Sequence, residues 1–90
     1  MLIKFVKIQP ETLIKIYEKH AVLSREIEKV LVEGKPMFRK VGGEQYVAIG
    51  LRERYLTIFF KYSQKSKEAE ITTAYPSSRG QIRAYKRLKR

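Results

Sequence analysis

Hydrophobic positions along this chain change their period from two to about 3.6 and back again, and each change marks a boundary between elements. Leu2 to Ile8 (LIKFVKI) alternates apolar residues with Lys4 and Lys7, which predicts a short strand suited to a sheet edge. Pro10 then stands where a helix begins, because the first helical N–H has no partner to lose. Glu11 follows at the positive end of the helix dipole. Leu13, Ile16 and Tyr17, flanked by Ile14, form an apolar stripe that carries this helix to about Lys19 or His20.

Ser24 is the expected N-cap of a second helix, with Ile27, Val30 and Leu31 as its buried stripe. Gly34 and Pro36 end it. From Pro36 the period returns to two. The pattern predicts strands over 37–41 and 44–51 around a Gly42-Gly43 hairpin turn. A further strand covers 55–62 after an Arg52-Glu53 turn, and a last one covers 69–75 after a polar turn at 64–67. Within 55–62, Leu56, Ile58, Phe60 and Tyr62 share one face, placed against the helices. Tyr55, Thr57, Phe59 and Lys61 share the other, a candidate working surface. Pro76 stops the last strand, and Ser77 or Ser78 caps a C-terminal helix over 78–89, weakened near its start by Gly80. The expected order is β-α-α-β-β-β-(α), an α+β layer of an antiparallel sheet on a helical hairpin.

The chain has 90 residues, the length of one domain with one modest core. Cysteine is absent, so disulfides, thiolate metal sites and cysteine nucleophiles are excluded. Asp and Asn are absent as well, and every acid is Glu, a hyperthermophile-like bias. No apolar run approaches a membrane span, and residues 1–8 lack a signal-peptide core, so a cytoplasmic location is expected. With His20 the only imidazole and the Glu residues scattered, no metal site and no cofactor are expected.

Charge alters the picture most. The net charge is +11, which points to nucleic acid, another anionic surface or an acidic protein. It concentrates at the C-terminal end, where residues 71–90 hold six Lys or Arg and no acid. On a helix, six like-charge pairs (79/83, 83/86, 83/87, 86/89, 86/90 and 87/90) would repel by about 1–3 kcal/mol in all. A polyanion or an acidic partner would relieve that cost.

Cations and phenols are therefore the available chemistry. RNA can be cleaved without a metal because its own 2′-OH is the nucleophile. The protein then has to position the phosphate, move two protons and oppose the charge on phosphorus. Arg52, Arg54, Tyr75, Arg79, Arg83, Tyr85, Lys86 and Arg87 are the candidates. Arg54 and Arg83 are the expected phosphate clamps, and Tyr85 the proton-transfer or stacking group.

The segment 71–85 (ITTAYPSSRGQIRAY) resembles the C-terminal signature of the BrnT family, small ribonuclease toxins of type II toxin–antitoxin pairs with a RelE-like fold. Thr73, Ala74, Arg83 and Tyr85 carry the likeness without a gap. Lys19-His20 with the helix after Ser24, Tyr46 to Gly50, and Arg54-Tyr55-Leu56 are similar to upstream family segments. The resemblance implies a metal-independent endoribonuclease acting on mRNA, free or ribosome-bound, and a cognate acidic antitoxin. Two positions depart from the family pattern: Tyr75 replaces an Arg, and Gln81 replaces a helix Glu, which favours binding over cleavage.

Each candidate also has a plainer reading. His20 is a catalytic base or a helix-end imidazole facing the dipole. Tyr85 packs in the core or meets phosphate. Tyr55 and Phe59 stack on bases or lie under the C-terminal helix. Arg52 and Arg54 are clamps or a solvated turn, and the basic C-terminal segment is a binding surface or a solubilising tail. A non-catalytic RNA- or ribosome-binding module and a basic protein-interaction module stand beside the toxin.

Overall fold

The structure is a computed structural model and describes residues 1–88. Its elements run β1 (Phe5–Lys7), α1 (Pro10–His20), α2 (Ser24–Val32), β2 (Met37–Gly42), β3 (Gln45–Leu51), β4 (Tyr55–Ser63), β5 (Glu68–Pro76) and α3 (Arg79–Leu88). Lys89 and Arg90, which enter three of the six like-charge pairs, lie outside the described residues.

The architecture is α+β, as expected, with two corrections. Four strands follow the helices, not three, because each of the four alternating segments pairs in the sheet. The sheet is also mixed. Its order is β1-β5-β4-β3-β2, antiparallel from β2 to β5, with β1 parallel to β5. The two helices act as a crossover that delivers the chain to the far edge. Three successive turns then bring it back beside its own first strand.

Local chemistry accounts for most boundaries and for two shifts. A bulge between Lys40 and Gly42 leaves Gly42 paired with Gln45, so the turn centres on Gly43 (φ 55°) and Glu44 rather than on Gly42-Gly43. At α2 the N-cap is Leu23, not Ser24. The Glu26 carboxylate reaches back to accept from the Leu23 N–H at 2.9 Å, so Ser24 enters the first turn. At α3, Ser78 and Gln81 form a reciprocal pair: Gln81 N–H donates to Ser78 Oγ at 3.2 Å, and Ser78 N–H donates to Gln81 Oε1 at 2.8 Å.

The core lies between one sheet face and the first two helices. Leu56, Ile58, Phe60 and Tyr62 from β4 meet Ala48, Ala69, Ile71 and Ala74 from its neighbours, under Ile16, Val22, Ile27, Val30 and Leu31. Burial of each large aliphatic or Phe side chain contributes about 1.5–3 kcal/mol. Gly50 lets α2 seat close on β3, since a Cβ there would lie 2.8 Å from Val30 Cγ1 and 2.9 Å from Pro36 Cβ. The stripe on α1 is narrower than its spacing suggests: Ile16 is buried, while Tyr17 and Ile14 stay more than half exposed. These two and Leu13, Val22 and Leu23 line a shallow apolar groove where α1 meets α2.

Candidate nucleic-acid interface

The strand register fixes what shares the opposite, outer face of the sheet. Ile49 pairs with Thr57 and Thr57 with Tyr75; Val47 pairs with Phe59 and Phe59 with Thr73. Helix α3 docks on this face. It covers Ile49 and Thr57, both buried, and leaves Val47, Phe59, Thr73 and Tyr75 partly exposed. No described α3 side chain is itself fully buried. The helix is held by the Tyr85 ring against Tyr55 (edge-on, centroids 5.7 Å apart) and by a chain of hydrogen bonds at its start.

That chain has a definite direction. The backbone N–H of Ser78 can only meet an oxygen, which fixes Oε1 of Gln81 on its side. Thr57 Oγ1 then donates to the same Oε1 at 2.9 Å and accepts from Ser77 Oγ at 2.7 Å. Nε2 of Gln81, turned the other way, donates to the Tyr75 hydroxyl at 3.0 Å. Every donor therefore points from Ser77 through Thr57 and Gln81 to Tyr75. The phenol accepts from Gln81 and keeps its own proton, for which no described residue is an acceptor. Around it the Phe59 ring stacks at 6.2 Å and the His20 ring tilts at 5.7 Å. The result is a half-buried phenol held on three sides, with its O–H donor unpaired among the described residues.

Cations border this face on α3. Arg79, Arg83 and Lys86 fall at helical spacings of four and three, and with Ile82 they line an open groove. All three are exposed, as is Arg87, and none has a carboxylate partner among the described residues. A row of unpaired cations on the helix that docks over this aromatic-bearing face suits single-stranded nucleic acid, whose phosphates meet the charges and whose bases stack.

The other expected site residues stand elsewhere. The Arg54 guanidinium is occupied on the helix side of the sheet. Its Nε donates to Glu26 Oε1 at 2.9 Å, and its Nη2 donates to Glu26 Oε2 at 3.1 Å and to the Ala21 carbonyl at 2.8 Å. This forked hydrogen bond holds the Glu26 carboxyl below its usual range and raises the guanidinium above its own. Arg54 thus ties the α1–α2 connection to the start of β4, across the sheet from Arg83. Arg52 is exposed, 3.5 Å from Glu33, the residue that caps the C-terminal end of α2. Tyr85 is in part an anchor for α3, its ring turned to Tyr55.

The structure therefore gathers Tyr75, Arg79, Arg83 and Lys86 on one side, with Arg87 exposed on the same helix, and leaves Arg52 and Arg54 on the other. Sequence reasoning did not find Gln81, Thr57 and Ser77 as the group that orients Tyr75. The Ser78-x-x-Gln81 spacing was a legible sign of the first link. No family model, curated protein or solved structure matches this chain.

Proposed function

We propose that this protein grips single-stranded RNA across α3 and the open part of the outer sheet face, and cleaves it there as a metal-independent toxin of the BrnT-like, RelE-like kind. The observation that carries this reading is the row of three unpaired cations on the solvent side of α3, the helix whose Gln81 holds the Tyr75 hydroxyl. In this arrangement Arg79, Arg83 and Lys86 hold phosphates, and Phe59 offers a surface for a base. The RNA 2′-oxygen attacks phosphorus, and the bond to the 5′-oxygen breaks. His20 takes the 2′ proton, and Tyr75 supplies one to the departing oxygen. Arg83 and Arg79 oppose the charge that builds on the phosphoryl oxygens. Arg54 has no part in this scheme, because Glu26 already neutralises it.

Binding without cleavage is the second reading. It is favoured by Gln81, which cannot exchange a proton where the resemblance implies a Glu. The cognate partner in the first reading is an acidic antitoxin that covers the α3 cations.

Salt dependence of RNA binding tests the common part. Removing three phosphate-neutralising side chains in Arg79→Ala/Arg83→Ala/Lys86→Ala should flatten the log–log salt slope by about 2. A wild-type slope near zero would remove nucleic acid from consideration. Growth arrest on expression, relieved by Tyr75→Phe, supports cleavage; equal arrest by both proteins counts against Tyr75 as the proton donor.

A further inference from the structure

Strand β1 covers only part of the outer edge of β5. It ends at Lys7, opposite the Glu70 position, and from Ile71 onward no strand among the described residues pairs with β5 on that side. Helix α1 packs against β5. Between helix and strand lies a groove of about 240 Å³ lined by Thr12, Lys15, Lys19, His20, Thr72 and Thr73, with Ile16 at its base. This is room for a phosphate group with some of its hydration.

Three features make the groove chemically directed. Thr12, Lys15 and Lys19 recur at spacings of three and four, so the buried Ile16 that anchors α1 also turns them to one side. The strand contribution depends on an irregularity. Phe59 pairs with Thr73 and Phe60 with Ile71, so Thr72 is an extra, bulged residue. In a regular strand successive side chains point to opposite faces; the bulge is what lets two consecutive threonines line one groove. Finally, neither lysine has a carboxylate partner among the described residues, and Glu18 of the same helix borders the apolar groove instead.

We infer that the groove between α1 and the bulged edge of β5 is a second phosphate-binding site, in which Lys15 and Lys19 supply charge and Thr12, Thr72 and Thr73 supply hydroxyl donors. Its ligand is a phosphate of the same RNA strand. His20 lines this groove and also touches the Tyr75 ring, so the two surfaces are continuous around the β5 edge. The source of the phosphate rests on the RNA reading above; the anion chemistry of the groove does not.

Two arms separate these. The first is the salt dependence of binding a ten-nucleotide single-stranded RNA, with Lys15→Ala/Lys19→Ala expected to flatten the log–log slope by about 1.4. An unchanged slope and affinity in that variant, with binding lost in the α3 triple variant, would overturn the inference and leave the RNA reading standing. The second arm is a nuclear magnetic resonance titration with uridine 3′-monophosphate, expected to shift the Thr72 and Thr73 amides in the wild type and not in the double variant. Should the wild type bind no RNA, those shifts would uphold the groove as an anion site on its own. Their absence would overturn it.

Discussion

Gln81→Glu exchanges one NH₂ for an oxygen and reverses the hydrogen-bond chain at its last link. The carboxylate still accepts from Ser78 N–H and Thr57 Oγ1. Where Nε2 donated to Tyr75, an oxygen now faces the phenol, so the phenol must turn its proton inward. A bound phosphate then loses a donor, worth about 1.5–3 kcal/mol for a hydrogen bond to a charged group. It also gains a like charge, which costs about 2 kcal/mol at roughly 7–8 Å and an effective dielectric constant near 20. Solvent screening at this half-exposed position favours the lower end of the sum, about 3.5 kcal/mol, so RNA affinity should fall by about 300-fold. Stability should move the other way. A carboxylate in the first turn of α3 complements the helix dipole by about 0.3–1 kcal/mol, a rise in Tm of roughly 2–6 °C. Fluorescence anisotropy with a labelled single-stranded RNA and a thermal melt read the two quantities separately. A misfolded variant would lose both, whereas the chain of donors predicts opposite signs. Wild-type affinity with a raised Tm would refute the claim that Tyr75 offers its proton outward. Increased cleavage at unchanged affinity would also refute it, and would assign position 81 the acid–base role that the family resemblance implies.

Arg54→Ala should destabilise the fold by about 1–3 kcal/mol in a denaturant titration, by stripping Glu26 of its forked partner, while leaving RNA affinity unchanged. The folded Glu26 carboxyl sits below its ordinary value of 4.5, so its contribution is complete above that value and is lost as pH falls through the lowered one. The stability gap between wild type and Arg54→Ala should therefore be constant near neutrality and narrow below about pH 4.5; a gap that widens on acidification would contradict the pairing. Gly50→Ala should cost about 1–3 kcal/mol by pushing Val30 and Pro36 off β3, measured by the same titration, with α3 and its cations undisturbed.

Local rules account for what the sequence made legible. The alternation over 55–62 places Leu56, Ile58 and Phe60 in the core and Tyr55 and Phe59 on the other face, as found. Pro10, Gly34 and Pro76 punctuate the chain close to where elements start or end. Parallel pairing of β1 with β5 was not legible, because it depends on contacts more than sixty residues apart and not on any local period. Arg54 shows the same limit in the site. Its position before a strand suits a clamp, but Glu26, twenty-eight residues earlier, captures it. Tyr75 stood in the candidate set for its place at the end of β5. Its orientation depends on Thr57 of the neighbouring strand and Gln81 of the next helix, which only the assembled sheet brings together.

Helix α3 sits on the sheet through the Tyr85–Tyr55 contact, the polar chain at its start and its cover over Ile49, with none of its described side chains fully sequestered. Elements attached so lightly open at a free energy well below that of the whole molecule. Opening of α3 alone is therefore expected to cost less than unfolding the five strands and the first two helices, which hydrogen exchange of the α3 amides would read. Loss of grip and loss of fold become separable events, and a partner that merely displaces this helix would silence the surface without denaturing anything.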